Sequence, residues 1–302
     1  MENVLVVDDI QDNITLLTFE LEDDDFVVHE AHNGQQCLDI ANTTPQPDII
    51  LLDIHMPGMS GIETLKQLKE NPRTQDIPVI MVSANTSEAS VVEAIDLGAN
   101  DFVSKPIEYP VLAARMRSAL RLAQALRDLE KANAELNMLA TTDPLTGIYN
   151  RRHFFTLVNS EIAKMSRHDR HVSIMMIDVD HFKSINDKYG HGAGDLALQE
   201  LTVRFQDATR TYDILGRMGG EEFAICSPYA DLAGASIMAE RIRESCEQLK
   251  LQYDDIDFNV TVSIGITELA QDEGFDSGLK RADRYLYEAK KNGRNQVVKG
   301  LP

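Results

Sequence analysis

Four short apolar runs in the first third of the chain end on polar residues whose types suit one chemistry. Val4–Val7 runs into Asp8 and Asp9, Ile49–Leu52 into Asp53, Val79–Val82 into Ser83, and Phe102–Ser104 into Lys105. Three carboxylates brought together repel one another and call for a hard cation. Mg²⁺ suits one or two carboxylates plus phosphate oxygens. A carboxylate beside it can attack phosphorus as a nucleophile. The hydroxyl can then hydrogen-bond the acyl phosphate and the lysine can neutralise it. Any one of these acids alone reads as a solvated loop residue; five such residues, in order at consistent positions, argue otherwise.

A second constellation lies at Arg217-Met218-Gly219-Gly220-Glu221-Glu222-Phe223. Two glycines between apolar strands form a tight hairpin turn and let a ligand approach the backbone closely. Two acids directly after the turn stand where a phosphate-bound metal needs them. Asp178 and Asp180 end another apolar run, Val172–Ile177. If that strand lies beside the hairpin, Asp178 and Glu221 can share metal ions, and such a site activates a hydroxyl and stabilises a phosphoryl transition state.

These residues need elements to hold them. Residues 1–108 alternate short apolar runs, including Val27–Val28, with amphipathic stretches, which predicts βαβ units in a doubly wound α/β fold with a parallel sheet. Ligands then sit outside the carboxyl ends of the strands, where Asp8, Asp9, Asp53, Ser83 and Lys105 fall. From Pro110 to about Ala140 the chain has no glycine and no further proline, and Leu122, Leu126, Leu129, Asn133, Leu136 and Ala140 keep a 4-3-4-3-4 spacing. That is a heptad seam on a helix of about 45 Å, read as a coiled-coil-like stalk. Thr142-Asp143-Pro144 reads as a further helix start. Residues 143–300 form an α+β unit with strands at Val172–Ile177, Glu222–Cys226 and Asn259–Ile266 and helices near 151–167, 193–209, 231–248 and 277–291. The predicted organisation is a domain over 1–120, a helical linker over 110–140 that overlaps its last helix, and a second domain over 141–302.

The 302 residues fit two domains, and 43% hydrophobic with 26% charged is a globular composition. No apolar run approaches the ~18 residues of a membrane helix, and the start of the chain lacks the features of a signal peptide. Three cysteines without metal spacing, Cys37, Cys226 and Cys246, suggest reduced thiols and a cytoplasmic protein. The net charge of −20 divides unevenly: residues 1–120 hold 21 acids against 6 bases (−15), and residues 121–302 hold 28 against 23 (−5). Such a chain makes a poor binder of DNA, whose backbone must be neutralised by Lys and Arg. The near-balance of the second part leaves bases for phosphorylated ligands.

Residues 1–120 resemble the response-regulator receiver domain. The resemblance implies Asp53 as phosphoacceptor, with Asp8, Asp9, Asp53 and the backbone carbonyl of His55 binding Mg²⁺. It implies Ser83 and Lys105 as the phosphate-sensing hydroxyl and lysine and Phe102 as the aromatic switch. Lys105-Pro106 matches a step expected to be cis. The phosphodonor would be a cognate histidine kinase or phosphotransfer protein.

Residues 143–298 resemble the GGDEF family. The motifs are Asp143-Pro144-Leu145-Thr146-Gly147, Asn150-Arg151-Arg152, Asp178-Val179-Asp180-His181-Phe182-Lys183, Asn186-Asp187, Gly190-His191 through Gly194-Asp195, Val262-Ser263-Ile264-Gly265, and Ala282-Asp283 through Gly293-Arg294-Asn295. Glu221 stands where the family name has Asp and keeps the carboxylate. These enzymes are diguanylate cyclases with a core similar to the palm fold of nucleotide cyclases. The resemblance makes Asp178, the Val179 carbonyl and Glu221 the Mg²⁺ ligands, with Glu222 adjacent. It puts Asn186 and Asp195 on the guanine edge, and Lys183, Lys290 and Arg294 on the triphosphate beside Gly219 and Gly220. Arg210-Thr211-Tyr212-Asp213 lies five residues (214–218) before Gly219, the spacing of the family's inhibitory Arg-x-x-Asp site, and Arg241 matches its second arginine. A guanidinium fork suits guanine O6 and N7 or a phosphate, and a carboxylate can accept from guanine N–H groups.

The function expected is therefore a phosphorylation-regulated diguanylate cyclase. Two GTP molecules, one on each subunit of a homodimer, give cyclic di-GMP and two pyrophosphates, with the product as an inhibitor. A non-catalytic effector that binds cyclic di-GMP is the alternative. A DNA-binding regulator is disfavoured by the charge and by the lack of a basic recognition helix.

Overall fold

The structure, a computed structural model, describes residues 2–84, 88–165, 171–254, 256–270 and 273–302. The chain divides into two compact units, Met1–Asn133 and Ala134–Pro302. No helix among the described residues is long and apolar enough to cross a membrane.

The first unit runs β1 (Asn3–Val7), α1 (Gln11–Asp23), β2 (Val27–Ala31), α2 (Gly34–Ala41), β3 (Ile49–Asp53), α3 (Gly61–Glu70), β4 (Val79–Ser83), α4 (Glu88–Asp96), β5 (Asp101–Ser104) and then α5 (Tyr109–Thr141), whose last residues, from Ala134, count with the second unit. All five strands are parallel in the order β2-β1-β3-β4-β5. Helices cover both faces, so β3 and β4 are buried along their whole length and read as unbroken apolar runs. The strand order reverses between β1 and β3, which opens a crevice at their carboxyl ends. Helix α5 buries Leu112, Ala113, Met116, Ala119 and Leu120. Further along, Leu122, Leu126, Leu129 and Leu136 of the predicted seam are all more than half exposed.

The second unit contains β6 (Tyr149–Asn150), α6 (Arg151–Met165), β7 (Val172–Val179), α7 (Phe182–Tyr189), α8 (His191–Ala208), β8 (Ile214–Gly219), β9 (Glu222–Pro228), α9 (Leu232–Glu247), β10 (Lys250–Tyr253), β11 (Ile256–Asn259), β12 (Val262–Glu268), α10 (Phe275–Lys291) and β13 (Val297–Gly300). Its mixed sheet has the order β13-β12-β7-β9-β8-β6, and β10 and β11 form a separate ribbon. Alternate residues of β7 enter different cores, as the two-residue period of a strand requires. Ile174 and Met176 pack with Phe154 of α6 and Leu286 of α10, whereas Met175, Ile177 and Val179 pack with Leu201 of α8 and Ile242 of α9.

Two sequence expectations are corrected. Thr142-Asp143-Pro144 does not start a helix: Asp143 Oδ1 accepts from Thr146 N (3.0 Å) and Thr146 Oγ1 (2.8 Å), which bends the chain into a turn. The helix opens instead at Arg151, where Asn150 Oδ1 caps His153 N at 3.0 Å. The strand predicted over Asn259–Ile266 is two strands, because Asn259 pairs with Lys250 in the ribbon while Val262 pairs with Val179 in the main sheet.

Candidate functional site

In the first unit the strand ends converge. Asp8 and Asp53 are buried, Asp9 is exposed, and one carboxylate oxygen from each lies within 4.8 Å of the others. Asp8 Oδ1 accepts from Ile10 N at 2.9 Å and from Asn13 Nδ2 at 3.0 Å. Lys105, carried past the end of β5 and followed by a cis proline, puts Nζ 2.7 Å from Asp8 Oδ2 and 3.1 Å from Asp53 Oδ2. Burial raises the Asp53 carboxyl above its ordinary range; Lys105 opposes this and Asp8 adds to it. Burial works against the Lys105 charge, but Asp8 and Asp53 outweigh it and hold the ammonium above its ordinary range. Three close carboxylates with one lysine leave an oxygen donor set that fits a hard divalent cation. Ser83 is buried with Oγ 3.3 Å from His55 Nδ1, and Phe102 is half-buried on β5. The imidazole contact was not read from sequence, since two residues 28 apart meet only through the adjacency of β3 and β4.

In the second unit β7 and β9 pair antiparallel with Asp178 opposite Glu222. The hairpin before Glu221 turns at Gly219 (φ 142°) and Gly220 (φ 52°), a conformation that side-chain-bearing residues rarely adopt. Arg217 braces it: Nε and Nη2 donate to Gly220 O at 3.0 and 2.6 Å, and Nη1 donates to Asp143 Oδ1 at 2.9 Å. Arg217 and Asp143 thus shape the site without belonging to the expected ligands; their presence in two of the quoted motifs was the available signal. Glu221 is half-buried, Glu222 exposed, and Val179 N donates to Glu221 O at 3.3 Å. Lys290 Nζ lies 2.7 Å from Asp178 Oδ2, so the lysine expected at the triphosphate rests on the acid expected at the metal. Burial raises the Asp178 carboxyl to about 6, with Glu221 and Glu222 adding to the rise and Lys290 opposing it. Nearby acids that disfavour each other's charge fit a divalent cation.

Asn186 on α7 has its Oδ1 buried with no hydrogen-bond partner among the described residues. It has room only because residue 194 is glycine: a β-carbon there would stand 2.0 Å from that oxygen. Asp195 lies exposed on the first turns of α8, Lys183 exposed on α7, and Arg294 exposed in the turn after α10.

Away from the hairpin, Arg210, Asp213 and Arg241 line one cavity of about 260 Å³ with Tyr229 and Met238. Arg210 and Asp213 lie in the turn between α8 and β8. There Arg210 N donates to Asp213 Oδ2 at 2.7 Å and Arg210 Nη1 to Tyr212 Oη at 3.0 Å. Arg241 Nη2 donates to Ala208 O at 2.5 Å.

Comparison with known proteins matches residues 140–296 to the family described as diguanylate cyclase, GGDEF domain, and residues 4–117 to the response regulator receiver domain. Response regulator PleD of Caulobacter vibrioides is 34% identical over 255 residues, 83% of this chain and 56% of that protein. Diguanylate cyclase A of Treponema denticola is 41% identical over 170 residues, 55% of this chain and 46% of that protein. The chain therefore spans about half the length of these curated relatives. The crystal structure of the coiled coil and GGDEF domain of DgcB from Caulobacter crescentus, in complex with c-di-GMP, superposes with a TM-score of 0.56 at 28% identity. It covers 63% of this chain and 99% of that one.

Proposed function

The chain belongs to the GGDEF diguanylate cyclase family and carries a response-regulator receiver domain, and we propose that it condenses two GTP molecules into cyclic di-GMP under the control of phosphorylation at Asp53. The observation that carries this reading is the pairing of Asp178 with Glu222 across β7 and β9, beside the Gly219-Gly220 turn. Asp178, Glu221 and the Val179 carbonyl would hold Mg²⁺, which when bound activates a 3′-hydroxyl and stabilises charge on the phosphoryl group. Asn186 and Asp195 hold the guanine edge, and the unpartnered buried oxygen of Asn186 supports this assignment. Lys183, Lys290 and Arg294 neutralise the triphosphate, which the two glycines let approach the backbone.

Each chain presents one GTP site by this reading, so reaction requires two chains facing each other as a homodimer. The exposed leucines of α5 support such a pairing. In the receiver, Asp8, Asp9, Asp53 and the His55 carbonyl would hold a second Mg²⁺, and a histidine kinase or phosphotransfer protein supplies the phosphoryl group. Cyclic di-GMP binds back at Arg210, Asp213 and Arg241 as an inhibitor. Three free, buried cysteines favour a cytoplasmic setting. An effector would be expected to have lost metal or turn residues, and this sequence keeps them all.

The test is incubation with GTP and Mg²⁺, with and without beryllofluoride, followed by identification of the products. Cyclic di-GMP with pyrophosphate is expected. A protein that binds cyclic di-GMP yet yields none of it from GTP would replace this reading with the effector one.

A further inference from the structure

Gly293, Arg294 and Asn295 are three consecutive residues with positive φ (115°, 64° and 43°) between α10 and β13. Two of them carry side chains, so the turn persists only where its surroundings over-determine it. The backbone has two anchors: Arg294 N donates to Ala289 O and Asn295 N to Asp180 Oδ2, both at 3.0 Å. Asp180 is buried and itself fixed, accepting from Ser263 Oγ at 2.7 Å and Thr261 Oγ1 at 2.8 Å.

A third anchor comes from α9 and is a closed triangle of side chains. Asn295 Nδ2 donates to Glu247 Oε1 at 2.8 Å, Arg243 Nη1 donates to Asn295 Oδ1 at 3.2 Å, and the same Nη1 donates to Glu247 Oε2 at 2.9 Å. Arg243 is also held by Glu240 Oε2 at 2.8 Å from Nε. Next to Asn295, the Arg294 side chain is exposed, and among the described residues no acid forms an ion pair with it. The helix thus grips one residue of the turn and leaves its neighbour's guanidinium to solvent.

We propose that Asn295, Arg243 and Glu247 are positioning residues, a clamp from α9 that holds the left-handed turn so that Arg294 is presented to the triphosphate. This rests on the reading of Arg294 as a triphosphate ligand. A long side chain gains affinity when the backbone beneath it is fixed before binding, because less freedom is lost in the complex. Among the described residues, no hydrogen bond or ion pair joins the clamp side chains to Asp178, Glu221, Glu222 or Asn186.

The experiment measures the affinity of the full chain for a non-reacting GTP analogue and for GMP. The variants are Arg243→Ala/Glu247→Ala, which keeps good helix formers on α9, and Asn295→Gly, which keeps the left-handed backbone but removes the side chain. Affinity for the GTP analogue should fall about 5–10-fold in both variants, while GMP affinity and kcat stay within about twofold and KM for GTP rises in step. Arg294→Ala should lower the same affinity ratio, and combining it with the clamp variants should add little further loss. A clamp variant that leaves the ratio unchanged, while Arg294→Ala lowers it, overturns the clamp alone. Equal loss for both nucleotides also overturns it, since that is general loosening. If Arg294→Ala itself leaves the ratio unchanged, the reading of Arg294 falls and the clamp falls with it.

Discussion

Glu221 and Asp178 are where a single charge should decide activity. Glu221→Gln keeps volume but removes the negative charge a divalent cation needs, and a metal supplies several kcal/mol of transition-state stabilisation. Turnover should fall about 100-fold or more with the melting temperature little changed, and turnover within a few-fold of wild type would reject the assignment. Lys290 sits on Asp178 at 2.7 Å, so a cation bound at Asp178 would compete with that lysine and would free it for phosphate oxygens. At the distant cavity, Arg210→Ala removes a planar donor fork without touching the hairpin. Product inhibition should weaken by roughly tenfold while the initial rate holds. Equal inhibition of the variant would leave Arg210 and Asp213 as a surface pair.

At the scale of elements, α10 matters because it carries Lys290 and delivers the turn that bears Arg294. Its entrance is fixed by Glu273, whose Oε1 and Oε2 accept from Arg281 Nη1 (2.5 Å) and Nη2 (2.7 Å), and Arg281 also donates to Glu268 O at 2.9 Å. Hydrogen bonds from Arg281 hold the Glu273 carboxyl down at about 2, from an ordinary 4.5. Because the folded-state value is the lower one, the pair stabilises the fold at pH values above about 4.5. That contribution fades as pH falls toward 2. Glu273→Gln should therefore lower stability by roughly 1–3 kcal/mol at pH 7, with the gap to wild type closing as pH drops from 4.5 to 2. Thermal melts across that range provide the check, and a gap that stays constant with pH would exclude the ion pair as its source. The end of α5 is tied in a similar way, since Ala140 O accepts from Asn150 Nδ2 and Arg152 Nη2, both at 3.0 Å. These bonds satisfy a helix-terminal carbonyl and give two residues of the Asn150-Arg151-Arg152 motif a mechanical task.

For the whole molecule, regulation should run through association of two chains. Phosphorylation of Asp53 would add charge where Lys105 already bridges two carboxylates and where Ser83 is hydrogen-bonded to His55. Beryllofluoride should raise both the dimer fraction and the specific activity, and Asp53→Ala should abolish both responses. Light scattering and initial rates measure the two, and an Asp53→Ala protein that responds like wild type would refute phosphorylation control. Substituting Leu126 and Leu129 of α5 by Glu should lower the dimer fraction and the activity together, because like charges would then face each other along the seam.

Sequence alone determined the parallel sheet of the first unit, since buried strands must be apolar throughout and their ends must carry whatever polar chemistry the fold presents. It also determined the long helix and the set of acids, glycines and bases, because a site's chemistry is written in residue types. It did not mark β10 or β13, and it ran the end of β11 into β12, because short apolar runs are ambiguous until a neighbour strand pairs with them. Nor did it show that Asp143 folds into a turn against Arg217, a contact between residues 74 apart. Only the tertiary structure placed Asp178 against Lys290, left Asn186 Oδ1 buried beside Gly194, and brought Arg210 and Arg241 to one cavity. Each of these depends on which strand lies beside which and how far a helix stands from the sheet. Those distances are set by packing across the chain and not by any local run of residues.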